Sequence, residues 1–203
     1  MKRYDDQYCP IAHSLGLVGE RWSLLVVREL MQGPRRYTDL VDGMPGIGTN
    51  ILASRLKDLE AGGIIHKTRL PPPAASTVYE LTPRGHELRP VLHELARWGA
   101  RSLGPPPLDA LRPGWLQNAL EIALSPVASE GRLAFRIGDE EASVVDGESR
   151  PGIVTNPDVL VEADAIGFYH LFVNRELDGV RIEGDAELLG RVVNAVAAAP
   201  VPA

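Results

Sequence analysis

Five residues in one short stretch have side chains suited to hydrogen bonding along an extended polar ligand. Asn50, Ser54 and Lys57 recur at spacings of four and three, Thr49 lies beside them, and Arg55 lies at their margin. In an α-helix they share an outward face, while Leu52, Leu56 and Leu59 share the opposite one. A carboxamide pairs bidentately with the edge of adenine, and hydroxyls serve several base edges or phosphates. Arg36 precedes the helical segment before this one, and Lys67 and Arg69 stand on a strand-like run after it, where backbone phosphates would be in reach. The residue types therefore suit duplex DNA. They equally suit a solvated face on a module that contacts only protein.

Two other places carry chemistry. Cys9, the single cysteine, precedes Pro10 at the start of a helix, where unpaired N–H groups and the helix dipole favour a thiolate. With no second cysteine, its oxidation would give an intersubunit disulfide, a sulfenic acid or a mixed disulfide. The aromatic run Phe168-Tyr169-His170-Leu171-Phe172 fills a core or lines an apolar pocket. The candidate walls of such a pocket are Trp115, Leu120, Phe135, Phe168, Phe172 and Ile182, with Tyr169 or His170 to orient a guest. The five histidines are scattered at 13, 66, 86, 93 and 170, without metal-ligand spacing, so neither a metal nor a cofactor is expected. Neither a nucleophile elbow nor a glycine-rich phosphate loop occurs, and Glu140-Glu141 reads as a solvated turn, so catalysis is not expected.

The elements that must position these residues follow from periodicity. Pro10 opens a helical pattern running to Gly33-Pro34, with Leu17, Val18, Trp22, Leu25, Val26 and Leu30 as its core face and Gly16 and Gly19 as break points. TDLVDGM is a short helix with Thr38 as its cap, Pro45 to Gly48 a turn, and Thr49 the cap of the next helix, which Gly62-Gly63 stops. Ile64–Leu70 and Thr77–Leu81 read as paired strands around a proline-rich tip. From Pro83 a helix carries the stripe Leu88, Val91, Leu92, Leu95 and Trp98, kinked or restarted at Pro90. Helix, turn, helix, then a hairpin is the order of a winged helix-turn-helix.

Residues 104–112 form a stiff proline-rich linker. Beyond it come a helix at Trp115–Leu124, strand patterns at 133–137, 142–145, 152–155 and 159–163, and a short helix capped by Asp164. A last strand, VRIEG, and a closing helix capped by Asp185 end the pattern. The fold class is α+β, with residues 1–103 as one domain and 113–198 as a smaller one.

Charge separates the same halves. Residues 1–103 carry 14 Lys and Arg against 11 Asp and Glu, a balance of +3, and residues 104–203 carry 7 against 16, a balance of −9. A mildly basic half joined to an acidic one fits a nucleic-acid module attached to a part that avoids phosphates. No apolar run approaches the ~18 residues of a membrane span, and the first ten residues lack the apolar core of a secretory signal. The expected location is cytoplasmic, with no membrane partner.

In order and spacing, CPIAHSLGLVGERWSLLVVREL, GPRRYTDL, GIGTNILASRLKDLEAGGII and VYELTPRGHELRPVL, ending at Trp98, resemble the HxlR-type regulators, bacterial winged-helix transcription factors. The resemblance implies a homodimer formed through the first and last helices of the domain, with two recognition helices in adjacent major grooves. It also implies that Cys9 resembles the thiol switch of some relatives. LDGVRIEGDAELLGRVV and the strand pattern before it resemble the sterol-carrier-protein-like fold, a five-stranded sheet with helices over an apolar tunnel. The expected function is a homodimeric transcriptional regulator that binds an operator in double-stranded DNA and answers to a small apolar or amphipathic effector in its second domain. One alternative is a thiol-responsive repressor with a purely structural second domain. The other is a hydrophobic-ligand-binding protein without DNA binding.

Overall fold

A computed structural model describes residues 8–73, 75–106, 114–124 and 131–198. The chain forms two compact units, Met1–Glu94 and Leu95–Ala203.

The first unit begins with α1 (Pro10–Val18), whose N-cap is Cys9 in an extended conformation with Pro10 at the first helical position. Of the two expected break points, Gly19 ends α1 as its C-cap, while Gly16 lies within the helix. Trp22 then takes a left-handed conformation (φ 80°) ahead of α2 (Ser23–Leu30). The break resets the helical phase. Val26 and Leu30 are buried as expected and Val27 joins them, while Leu25, expected in the core, is exposed.

Next is α3 (Tyr37–Gly43), whose N-cap is Arg36 rather than Thr38. The Arg36 N–H donates to the Asp39 carboxylate at 2.9 Å, whereas three residues after Thr38 stands Val41, which has no acceptor to offer. α4 (Thr49–Ala61) starts one residue earlier than expected, with Gly48 as N-cap and Thr49 already helical. Its end is closed by Ile64 N–H to Leu59 O (2.9 Å) and Gly63 N–H to Glu60 O (3.0 Å). That pattern needs a left-handed residue at the turn, and Gly63 (φ 67°) supplies it without a Cβ clash.

β1 (Ile65–Arg69) and β2 (Thr77–Leu81) pair antiparallel, Ile65 opposite Leu81 and Lys67 opposite Tyr79. Arg35 adds a one-residue bridge on the far side of β2, through two bonds with Tyr79 of 2.8 and 3.0 Å. The helix expected from Pro83 is two, α5 (Pro83–His86) and α6 (Arg89–Leu103), restarting just before Pro90. The core gathers Val26, Leu30, Leu40, Leu52, Leu56 and Leu59 under the hairpin residues Ile65, Tyr79 and Leu81.

The division between units falls inside α6, so the second half of that helix groups with the C-terminal residues. Within that group Arg97 donates from Nη1 to the Ile122 carbonyl of α7 (Trp115–Leu124) at 3.1 Å. Most of the expected 104–112 linker, from Pro107 on, lies outside the described residues.

In the second unit a five-stranded sheet runs in the order β5-β4-β3-β6-β7. The strands are β3 (Arg132–Ile137), β4 (Glu140–Val145), β5 (Glu148–Pro151), β6 (Val159–Ala163) and β7 (Arg181–Gly184). β3 and β6 are parallel and the other neighbours antiparallel. The strand expected at 152–155 is instead β5, four residues earlier. Asp146 and Gly147, both at positive φ (54° and 78°), make the two-residue turn that lets β4 and β5 pair at once.

Glu140-Glu141, expected in a solvated turn, opens β4. The Glu140 carboxylate accepts from the N–H groups of Gly114 and Leu116 at the start of α7 (2.9 and 3.3 Å). Glu141 pairs with Arg136, which also pairs with Glu162 on the next strand. These carboxylates raise the Arg136 guanidinium further above its ordinary value, hydrogen bonding with Glu141 contributing most.

Asp164 and Asp185 cap as expected, accepting from Gly167 N–H (2.7 Å) and Leu188 N–H (2.9 Å). They open α8 (Ala165–Tyr169) and α9 (Ala186–Ala198). At His170 the helix begun as α8 widens into a π-helical turn, His170–Asn174.

Candidate nucleic-acid interface

The outward face of α4 is as the spacing predicts. Thr49, Asn50, Ala53, Ser54 and Lys57 are exposed, and Leu52, Leu56 and Leu59 are buried at 0%, 2% and 0% exposure. From Gly43 to Lys57 the chain carries no carboxylate, so the first two turns of the helix set no negative charge against a phosphate.

Arg55 differs from its neighbours. Its side chain is only 15% exposed and stands between Glu20 (3.4 Å) and Asp58 (3.2 Å). Its charge is engaged within the protein, tying α4 to the loop that ends α1.

A continuous path of contacts joins the remaining residues. The Tyr37 hydroxyl donates to the Thr49 carbonyl at 2.7 Å, which sets the first turn of α3 against the first turn of α4. Arg36, exposed, immediately precedes Tyr37. Arg35, one residue earlier, is bonded through its backbone to Tyr79 on β2. Over the Tyr79 ring, 5.3 Å from its centre, lies the Lys67 ammonium. Wing, Arg36 and α4 are thus held in one framework. Arg69 is exposed on the same strand face as Lys67, two residues on, opposite Thr77.

The residues that organise this framework, Tyr37 and Tyr79, were not among those singled out from sequence. Their partners lie 12 and 44 positions away, and no local periodicity signals such a pair. His66 meets Glu80 (3.0 Å), which Thr68 also contacts, on the other face of the hairpin.

Residues 17–106 match the family model of the HxlR-like helix-turn-helix. An uncharacterised helix-turn-helix-type transcriptional regulator of Synechocystis, sll1512, is 42% identical over 92 residues, which cover 45% of this chain and 68% of that protein. The chain belongs to the HxlR-like helix-turn-helix family. The regulator YodB of Bacillus subtilis is 35% identical over 98 residues, 48% of this chain and 88% of YodB. YdzF of the same organism, an uncharacterised helix-turn-helix-type regulator, is 32% identical over 97 residues, 47% of this chain and 89% of YdzF. This HxlR-like protein is a DNA-binding transcriptional regulator. The family model stops at Pro106, short of the five-stranded sheet.

Of the residues expected around an apolar pocket, the second unit brings five into one cluster: Leu120, Phe135, Phe168, Phe172 and Ile182. The three phenylalanine rings stand 4.7–6.4 Å apart, in mutual contact, with Leu120 and Phe135 fully buried. Trp115, Tyr169 and His170 are half-buried and outside the cluster. His170 Nδ1 is occupied by Glu176 and Asn174, each at 3.0 Å.

A half-open cleft of about 190 Å³ occurs in the first unit, lined by Ser14, Leu17, Val18, Ile64, Arg84, Glu87 and Leu88. Cys9 is a free, half-buried thiol. Among the described residues no three His, Cys, Asp or Glu side chains stand close enough to hold a metal, and no helix is long and apolar enough to cross a membrane.

Proposed function

We propose that the protein acts as a homodimer that lays α4 of each copy in adjacent major grooves of an operator. Asn50, Ser54 and Thr49 meet base edges or phosphates there, while Lys57, Lys67, Arg69 and Arg36 neutralise phosphates. The observation that carries this reading is the framework from Lys67 through Tyr79 and Tyr37 to Thr49, which holds wing and helix in a fixed relation. Arg55 is left out of the contact set and assigned to positioning α4.

The dimer reading rests on exposed apolar side chains that a lone chain would leave in water. Val91, Leu95 and Trp98 repeat at helical spacing on α6, with Trp98 73% exposed, and Ile11 and Leu15 do the same on α1. Leu92 on α6, and Leu88 just before it, pack on the core instead. A dimer of this kind recovers, from a pool of random duplexes, sites with two half-sites about 10 base pairs apart. Single, unpaired sites would argue for a monomeric reader.

The finer reading of the second unit is a sterol-carrier-like module that admits a small apolar or amphipathic effector beside the phenylalanine cluster. The π-helical turn at His170–Asn174 supports it, since such turns gather at functional sites and this one carries Phe172, only half-buried, at the cluster's edge.

A second reading uses Cys9 as a thiol sensor, favoured by its half-buried position at the N-terminus of α1. If Cys9→Ser kept an oxidant response of DNA binding, this reading would fall.

A further inference from the structure

Asn50, Ser54 and Lys57 are polar, and a polar outer face on α4 needs no special account. Ile51 does. It is 48% exposed in the first turn of that helix, one residue from Asn50 and three from Ser54. Positions three or four apart on a helix are surface neighbours, so Ile51, Asn50 and Ser54 form a single patch. It is the one large apolar side chain among the exposed residues of α4. A β-branched residue is also a poor choice for an exposed helix position on propensity alone.

In the folded chain Ile51 lies outside the core, which the Leu52–Leu56–Leu59 stripe fills from the opposite face. Cγ1 of Ile51 would stand 3.8 Å from a Cβ placed on Gly48, the N-cap, so the side chain lies over the first turn of α4. The N-terminal residues of a recognition helix are those that reach base edges. In the major groove the apolar feature that distinguishes one base from the other three is the C5-methyl group of thymine.

We infer that Ile51 is a specificity-determining residue that reads a thymine methyl group beside the base contacted by Asn50. The inference rests on the assignment of α4 to the major groove. Asn50 then supplies the hydrogen-bonded part of the readout and Ile51 the apolar part. Together they favour an adenine and a thymine at neighbouring positions of each half-site.

The test uses the full chain and duplexes recovered from a random pool. Each thymine of the recovered site is replaced in turn by deoxyuridine, which removes only the methyl group. Binding of the wild-type protein and of Ile51→Ala is then measured on every duplex. Because the side chain is exposed and alanine is the better helix former, the variant should fold, and its melting temperature checks that. The expected result is a loss of about fourfold in wild-type affinity at one thymine per half-site, the worth of one buried methyl group. Ile51→Ala should bind the thymine and uracil duplexes alike. If uracil weakens both proteins equally at every position, another residue reads the methyl and the inference is overturned. If no thymine is sensitive to the exchange, it is overturned as well. Failure to recover any preferred sequence would instead overturn the assignment of α4 to base readout, and this inference would fall with it.

Discussion

The Tyr37 hydroxyl reaches the backbone carbonyl of Thr49 at 2.7 Å, across twelve residues of chain. This bond links the first turns of α3 and α4, and so fixes the angle at which α4 presents Asn50 and Ser54. Tyr37→Phe removes the donor and leaves the ring. Because the bond is exposed, the expected cost in stability is small, about 0.5–1 kcal/mol by denaturant unfolding. Specific DNA affinity should fall more than that, with the salt dependence unchanged, because no phosphate contact is lost.

Lys67 and Arg55 separate contact from positioning. Lys67→Ala should weaken binding on every sequence and lower the slope of log affinity against log salt by about one. Arg55→Ala should leave that slope unaltered. It should destabilise the protein by about 1–2 kcal/mol through loss of a partly buried charge-assisted contact with Glu20 and Asp58. A slope change on Arg55→Ala would return this residue to the DNA interface.

The exposed stripe on α6 predicts an assembly. Leu95→Glu places a charge between Val91 and Trp98 without touching the core, since Leu95 is 46% exposed. Sedimentation should show a monomer where the wild-type protein sedimentates as a dimer. Affinity for a two-half-site duplex should drop at least tenfold, because each copy then binds alone.

Much of this was legible in the sequence because it is local. The leucines of α4 at spacings of four and three, the glycine pair that ends it, and the Asp164 and Asp185 caps all depend on residues within one turn of each other. The failures have equally local causes of a different kind. A single left-handed residue, Trp22, shifts the phase of α2 and moves Leu25 out of the core. The Asp146-Gly147 turn lets β5 begin at once, four residues before the strand expected from hydrophobicity. What was not legible is long-range: Tyr37 with Thr49, Lys67 with Tyr79, and Glu140 with the start of α7. The side chains of Arg55 and Lys57 are alike in charge and two residues apart, and what separates them is the burial of Arg55 between Asp58, three residues on, and the distant Glu20.

The second unit makes a prediction about occupancy. Solvent extraction of the purified protein, followed by mass spectrometry, should release an apolar or amphipathic small molecule. Phe172→Asp, which charges the half-buried edge of the phenylalanine cluster, should lose it. A clean extract, with no thermal shift from apolar probes, would leave the sheet and its helices as a structural addition to the DNA reader.

If α4 reads base edges in the major groove, loss of the Asn50 carboxamide costs affinity only where the sequence is specific. The most direct measurement compares wild-type protein with Asn50→Ala on a recovered site and on unrelated duplex, at one salt concentration. Asn50→Ala should lose about 1–3 kcal/mol on the recovered site and keep non-specific binding. Equal affinity of the two proteins for the recovered site would contradict base reading by α4.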